Sequence, residues 1–319
     1  MRSKRKIPSS LLCQLKEFDL NPKDLVLYIN SHCNLRCRHC YIGDELLGKN
    51  ESYDFESVVG FISSFQHLDR LTLLGGEPFL YKRFPDVINA LNFSQIKEAR
   101  VTSNLTLIKQ LVGISFNQRK QFTISVSLDG HNDLIHDFIR GDGNFKRTVN
   151  NIHWAINNGF NIEITHTINS QNSSFISEMI SLCKSLGVKK LNLHRMSLHG
   201  NALRNPNLQV TATQYVQLCM QLRLLHCEDG NLEIRFPLLF ADERTYSKIL
   251  EDNKYHNHVA RSYYSDGQRI VIYPNGYVYI SSEFFDTESY IGFFDDDTFH
   301  FNYSTKNELL YFNATENPH

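Results

Sequence analysis

Three cysteines stand within eight residues of one another in the stretch Ser31-His-Cys-Asn-Leu-Arg-Cys-Arg-His-Cys-Tyr41. Cys33, Cys37 and Cys40 make a C-x₃-C-x₂-C spacing. Thiolates this close converge on one face of a cubane iron–sulfur cluster, whereas an ordinary electron-transfer cluster takes four cysteines. With three protein ligands one iron keeps an open position, where a substrate or cofactor binds. The same stretch also admits zinc, with His32 or His39 as a fourth ligand. The loop constrains what precedes it. Asp24-Leu-Val-Leu-Tyr-Ile-Asn30 is a nearly continuous apolar run, as expected of a strand buried on both faces of a parallel sheet. The cysteines follow its C-terminal end, the end at which barrels of parallel strands build active sites.

Helix and strand patterns then alternate. Apolar residues at helical spacing run from Phe55 to Phe65, Phe84 to Leu91, Leu107 to Ile114, Phe145 to Asn158 and Ser174 to Leu186. Between them lie extended segments at Leu71–Leu74, Ala99–Thr102, Phe122–Ser127, Ile162–Ile168 and Lys190–His194. Gly159 and Gly187 follow their helices as C-caps. Strands alternating with helices favour a parallel sheet with right-handed crossovers. The expected fold is α/β, a partial (β/α)6 barrel of the TIM type, with a doubly wound open sheet as the alternative.

A helix from Thr211 to about Cys227 carries an apolar stripe at Tyr215, Leu218, Cys219, Leu222 and Leu225. After Asp229-Gly230 aromatic residues crowd in, and Arg269–Tyr273, Pro274-Asn275-Gly276 and Tyr277–Ile280 read as a β-hairpin. The division expected is a lead-in over 1–23, a barrel over 24–228 and a smaller α+β module over 229–319.

Composition excludes several classes. The net charge of −1 gives no electrostatic reason to expect nucleic acid or an anionic membrane as partner. No run approaches the length of a membrane span, and no apolar segment of a signal peptide follows the basic start. Seven cysteines, an odd number with three in one loop, argue for reduced thiols and a cytoplasmic location.

Further motifs fall at strand ends. Leu73-Leu-Gly75-Gly76-Glu77-Pro78 ends the second strand; its glycines let backbone approach a ligand closely, and Pro78 fixes the turn. Val101-Thr-Ser-Asn104-Leu-Thr-Leu107 ends the third. Ser125-Val-Ser127-Leu-Asp129-Gly130, then His136-Asp137 and Arg140-Gly141, follows the fourth, with Ser127 and Asp129 expected at the barrel mouth. Leu193-His-Arg-Met196-Ser-Leu-His199-Gly200-Asn-Ala202 follows the sixth.

In order and spacing, residues 24–202 resemble the radical S-adenosylmethionine (SAM) enzymes, in the branch that modifies peptides and carries C-terminal SPASM domains. The resemblance implies one [4Fe–4S] cluster on Cys33, Cys37 and Cys40, and SAM on its open iron. It implies cleavage of SAM to a 5′-deoxyadenosyl radical that takes a hydrogen atom from the substrate. SAM contacts would come from Tyr41, Gly75, Gly76, Glu77, Pro78, Asn104, Ser127, Asp129, Arg140 and Met196, with Arg140 able to fork onto the SAM carboxylate. Leu105 departs from the family's usual glycine at its place.

The C-terminal hairpin resembles a SPASM domain, yet the places for its cysteines read Arg261–Ser265 and Ser281-Ser282, and no cysteine follows Cys227. Serine is a poor ligand for an iron–sulfur cluster. The resemblance implies a degenerate, metal-free SPASM-like module and a peptide substrate, a ribosomally made precursor that is cross-linked or epimerised. Expected partners are that peptide, a one-electron donor such as flavodoxin or ferredoxin, and a separate leader-peptide-binding protein. In an epimerisation Cys219 or Cys227 would return the hydrogen atom. The alternatives are a small-molecule enzyme, acting on a sugar or tetrapyrrole precursor, and a non-catalytic iron–sulfur binding partner.

Overall fold

The computed structural model describes residues 4–47, 49–226, 232–235, 268–280 and 290–303. Its centre is a run of parallel strands: β1 (Asp24–Tyr28), β2 (Leu68–Leu74), β3 (Ile96–Ser103), β4 (Thr123–Ser127), β5 (Asn161–Ile168) and β6 (Lys190–Arg195). Each pairs in parallel with the next in chain order, so every connection between them is a crossover. Every residue of β1 is buried, because both of its edges and both of its faces are covered.

The crossovers are helical where the apolar period is helical. They include α3 (Phe55–Ser63), α4 (Phe84–Ala90), α5 (Asp133–Arg140), α6 (Asn144–Asn157) and α7 (Ile176–Ser185), after the short α1 (Leu11–Glu17) and α2 (Gly43–Leu47). The Asp54 carboxylate caps α3 by accepting from the Glu56 and Ser57 N–H groups. Gly159 and Gly187 take positive φ angles of 82° and 72°, as the C-cap reading expects. Side chains such as Leu25, Leu71, Val101, Ile124, Ile152 and Ile180 interleave in one core between sheet and helices. Burial stabilises each by about 1.5–3 kcal/mol.

One expected helix is absent. Residues 107–114 form only a 3₁₀ turn, Lys109–Gly113, in which Leu111 is buried and Val112 is 62% exposed. Gly113 lies against Pro85, and Ile114 is extended, so the segment closes a single turn rather than a helix.

The sheet also runs further than six strands. After α8 (Ala212–His226), β7 (Glu233–Arg235) adds in parallel to β6. At the other edge β8 (Arg269–Ile272) pairs in parallel with β1. From β8 the sheet turns antiparallel through β9 (Tyr277–Tyr279), β10 (Gly292–Asp295) and β11 (Thr298–Phe301). The β8–β9 turn relies on Gly276 at φ 87°, its N–H bonded to the Tyr273 carbonyl at 2.9 Å. This C-terminal antiparallel region continues the barrel sheet, strand order β11-β10-β9-β8-β1 through β7.

The lead-in residues hold that continuation in place. The Phe299 N–H donates to Gln14 Oε1 at 2.6 Å, and Phe18 stacks on Phe301 with ring centroids 4.4 Å apart. Arg5 bridges Ser52 and Asp54 by its backbone and reaches the Phe294 carbonyl with its side chain. Among the described residues no helix is long and apolar enough to cross a membrane.

Candidate active site at the C-terminal ends of the strands

The cysteine loop leaves β1 in an extended form. His32, Asn34, Arg36 and Arg38 are exposed, while Cys33, Leu35, Cys37 and His39 between them are buried. Cys33, Leu35, Cys37 and Leu47 pack as one apolar group, with Cys40 and Ile42 against it. Backbone bonds from distant elements hold this shape. The Arg38 N–H donates to the Ile139 carbonyl at the end of α5 (2.9 Å), and the Asn201 N–H donates to the Cys40 carbonyl (2.8 Å). Gly200, at φ 56°, lies so close that a Cβ there would come within 2.8 Å of the Cys40 carbonyl oxygen.

Burial pushes the Cys33 thiol up to about 11 and Cys37 up to about 12, and raises Cys40 as well. Thiols so placed ionise only against a strong positive charge. One is at hand: Arg140 Nη1 lies 3.9 Å from Cys37 Sγ. Among the described residues no three His, Cys, Asp or Glu side chains are grouped as ligands of a single metal ion. Neither histidine completes a zinc set: His39 Nε2 is 2.8 Å from Asp129 Oδ2, and His32 faces solvent. Three soft donors in one apolar seat, with a guanidinium beside them, fit an iron–sulfur cluster with one open iron.

Gly75 and Gly76 lie against the cysteine loop. A Cβ on Gly75 would fall 2.1 Å from Asn30 Oδ1, and one on Gly76 would fall 2.5 Å from the His32 carbonyl. The close approach that glycine permits is therefore to the cysteine loop itself. The Gly76 and Glu77 N–H groups donate to the carbonyls of Asn30 (3.0 Å) and His32 (2.8 Å). The Glu77 carboxylate turns inward and is 1% exposed. It accepts from Phe79 N–H, Ser103 Oγ and Asn104 N–H at 3.0, 2.7 and 2.8 Å, tying the ends of β2 and β3 together. Burial raises its pKa, and the three donors only partly offset that. Pro78 opens the short 3₁₀ turn that Glu77 caps.

Asn104 reaches the cysteine loop through its amide, which donates to Asn34 Oδ1 at 3.1 Å. Asn34 in turn donates to Thr106 Oγ1 at 2.8 Å, and Thr106 donates twice to Asn104 Oδ1. The turn survives the replacement of glycine: Leu105 adopts φ 51° and is fully buried.

Asp129 does not face the mouth as expected. It is 0% exposed, and both oxygens are taken. Oδ2 accepts from His39 Nε2 and from Arg140 Nε (2.5 Å), and Oδ1 accepts from the Thr167 N–H (2.7 Å). Burial works against its ionisation, but Arg140 and then His39 outweigh burial and hold the carboxyl well below its usual value. The Asp129 N–H donates to His136 Nδ1 at 3.1 Å. Burial and then Arg140 push that imidazole down to about 3, so it is the neutral acceptor. The role of His136 was invisible to spacing, although it lies seven residues after Asp129. Ser127, at the end of β4, is 8% exposed, and Met196 packs with Ile139, Ala202 and Leu208 beside α5.

Tyr41 shares a 2.7 Å hydroxyl–hydroxyl hydrogen bond with Tyr28, whose ring stacks on Tyr273 at 4.1 Å. The C-terminal strands thus reach the cysteine loop through a pair of phenols. Cys219 stands half-buried in α8, which packs on α7. Burial raises its thiol to about 11. Cys183 is fully buried and Cys13 exposed. Cys227, and the serine positions 262, 265, 281 and 282, lie outside the described residues.

The Radical SAM superfamily profile matches residues 27–186. The chain belongs to the radical SAM superfamily. Its cofactors are the family's, a [4Fe–4S] cluster and SAM. Over 264 residues it is 24% identical to Fe-coproporphyrin III synthase of Methanosarcina barkeri, covering 79% of this chain and 64% of that one. It is 27% identical over 183 residues to a probable GTP 3′,8-cyclase of Sulfolobus acidocaldarius (56% of each). It is 24% identical over 172 residues to the subtilosin biosynthesis protein AlbA of Bacillus subtilis (53% and 38%). This radical SAM chain therefore spans less than two thirds of the length of each of these relatives. Its fold is that of Streptococcus suis SuiB bound to the precursor peptide SuiA, with TM-score 0.65 at 15% identity, covering 87% of this chain and 64% of that one. It is also that of anSMEcpe with bound AdoMet, with TM-score 0.62 at 18% identity, covering 85% and 78%.

Proposed function

We propose that this radical SAM enzyme acts on a peptide, a ribosomally made precursor in which it forms a cross-link or inverts a stereocentre. The observation that carries the reading is the sheet's continuation through β8 to β11 beside the cysteine loop. The likeness to SuiB spans 87% of the chain, more than residues 24–228 alone could supply, and SuiB is seen with a precursor peptide. AlbA, a bacteriocin biosynthesis protein, adds weight.

When bound, cluster and SAM supply one-electron cleavage to a 5′-deoxyadenosyl radical, which removes a hydrogen atom from the substrate. The chain's own residues bind, orient and seal. Cys33, Cys37 and Cys40 would hold the cluster through their thiolates. Asp129 fixes Arg140 by its Nε, so that the guanidinium faces Cys37 and is preorganised for an anionic group of SAM. Asn104, Ser127, Met196 and Tyr41 line the approach, while Gly75, Gly76, Glu77 and Pro78 hold the floor against the loop. The cofactor carries the chemistry and the fold positions the reacting C–H bond.

Mass spectrometry of a candidate precursor co-expressed with the chain, with chiral amino-acid analysis of its hydrolysate, tests the substrate class: a loss of two mass units or, at unchanged mass, a change in chirality is expected. Each of Cys33→Ala, Cys37→Ala and Cys40→Ala abolishes both that change and 5′-deoxyadenosine release. Anaerobic reconstitution should yield close to four irons per chain, and a count near eight would defeat the reading of a metal-free C-terminal module. A second reading has its own support, since the likeness to Fe-coproporphyrin III synthase covers 79% of the chain. An unchanged peptide, together with turnover of a tetrapyrrole precursor, would decide for it.

A further inference from the structure

We propose that six tyrosines, Tyr41, Tyr28, Tyr273, Tyr279, Tyr277 and Tyr290, quench a 5′-deoxyadenosyl radical that meets no substrate and carry its oxidising equivalent to the protein surface. The proposal rests on the cofactor reading above and holds for whichever substrate the enzyme takes.

The two faces of the sheet differ in their aromatic residues. Strand side chains alternate between the faces. Leu25 and Leu27 of β1, with Ile270 and Ile272 of β8, join the core under the helices. In that core phenylalanines such as Phe61, Phe79, Phe84 and Phe294 outnumber Tyr53 and Tyr81. Val26 and Tyr28 turn the other way and form a separate group with Val271, Tyr273 and Tyr279. Tyr277 and Tyr290 pack against it, so the rings of this group are tyrosines throughout. Phenylalanine would fill the same space without a hydroxyl to take out of water, which costs free energy that a plain ring does not. Packing alone therefore does not account for the phenols.

The rings run in contact from the cysteine loop outward. Tyr41 directly follows Cys40, and its hydroxyl is 2.7 Å from that of Tyr28. Tyr28 stacks on Tyr273 at 4.1 Å between centroids, and Tyr273 meets Tyr279 edge-on at 5.4 Å. Tyr279 lies 6.4 Å from Tyr277, which meets Tyr290 edge-on at 5.0 Å. Tyr28, Tyr273 and Tyr279 are 1%, 4% and 4% exposed, whereas Tyr277 and Tyr290 are only half-buried. The path thus starts beside the cluster seat, crosses the interior and ends where solvent reaches it.

The chemistry balances along this path. Tyr41 gives the hydrogen atom of its O–H to the 5′-carbon: a C–H bond forms, the O–H bond breaks, and 5′-deoxyadenosine and a phenoxyl radical result. In each later step the next phenol passes one electron and one proton back to that radical, so the hole moves outward to Tyr290. There a small-molecule thiol restores the phenol with its S–H hydrogen, and two of the thiyl radicals so formed join as a disulfide. Without this route the radical would take hydrogen from a neighbouring C–H of the protein and leave lasting damage.

The test is dithionite-driven SAM cleavage by the reconstituted enzyme in heavy water, without peptide, read by mass spectrometry of the 5′-deoxyadenosine. The phenol hydrogens exchange with solvent, so the wild-type product should carry deuterium. Tyr28→Phe/Tyr41→Phe should lower the deuterated fraction of the product about tenfold, because no phenol then stands beside Cys40 to donate. Tyr81→Phe, in the other core, is the control and should leave that fraction unchanged. For the outward path, 3-aminotyrosine in place of Tyr290 traps an arriving hole as a persistent radical seen by electron paramagnetic resonance. Adding Tyr273→Phe should abolish that signal while the product keeps its deuterium, a split that a merely structural ring would not produce. Wild-type 5′-deoxyadenosine without deuterium, or deuterium that survives in the double variant, overturns the proposal. A trapped signal that persists with Tyr273→Phe overturns the outward path. If the wild type releases no 5′-deoxyadenosine at all, the cofactor reading falls and the proposal falls with it.

Discussion

Two buried carboxylates brace the cysteine loop, one at the end of β2 and one just past β4, and they are built oppositely. Glu77 is surrounded by neutral donors: two backbone N–H groups and a hydroxyl. Asp129 sits against Arg140 and His39. Burial opposes ionisation of both. Neutral donors leave the Glu77 pKa above its usual value, whereas the guanidinium drives that of Asp129 well below. The difference separates two tasks. Glu77 is a brace that closes the gap between two strand ends. Asp129 is a charged anchor that sets the position of a second charge, Arg140, beside Cys37.

Removing the anchor should therefore cost most. Asp129→Asn leaves the Arg140 guanidinium buried without its counter-charge, a change worth about 3–5 kcal/mol. Chemical denaturation of the iron-free protein would show it, and reconstitution should yield less iron. A loss below about 1 kcal/mol would erase the distinction between the two carboxylates.

Glu77→Gln keeps the shape and replaces one acceptor oxygen with a donor that faces other donors, a cost of about 1–3 kcal/mol at acid pH. The pH dependence is the sharper readout. A carboxyl whose folded pKa is raised stabilises the fold most when protonated, below the usual value of 4.5. That contribution is lost as pH rises from 4.5 through the raised folded value. The gap between wild type and Glu77→Gln should shrink over that range. A gap that widens with pH would mean that Glu77 ionises as readily as Asp129.

The turn that delivers the Asn104 N–H to Glu77 has a strained residue at its centre. Leu105→Gly removes the cost of φ 51° (about 1–2 kcal/mol) and forfeits a fully buried leucine (about 1.5–3 kcal/mol). The net expectation is a loss of about 1 kcal/mol in denaturant unfolding. The smallest effect belongs to Ser103→Ala, which removes the neutral hydroxyl that donates to Glu77 and accepts from the Leu105 N–H. It should cost about 1 kcal/mol, and less again in a Glu77→Gln background if the two act as a pair.

Much of this site was legible before any coordinates. Each motif lay directly after an apolar strand segment, and the chain order of those strands is their order in the sheet. Where reading failed, the deciding partner was remote. Gly75 and Gly76 signalled a close backbone approach without naming Asn30, Ser31 and His32, more than forty residues earlier, as groups they lie against. Asp129 suggested a mouth-facing carboxylate because it follows the end of the fourth strand; His39, ninety residues away in sequence, closes it off. Residues 107–114 had the apolar content of a helix, but Gly113 meets Pro85 of α4 and Ile114 is already extended, so only one turn closes.

The amino-acid sequence alone determined the alternation of helix and strand, the three thiols of one loop, and the strand ends at which polar residues collect. Those properties are written in local period and spacing, which a short window contains. The tertiary structure decided the rest: that β8 joins β1, that Tyr273 reaches the Tyr28–Tyr41 pair, and that one buried carboxylate is held by neutral donors and the other by charge. Pairing between distant strands and the solvation of a buried charge depend on which remote groups arrive beside it, and only the folded chain brings them there.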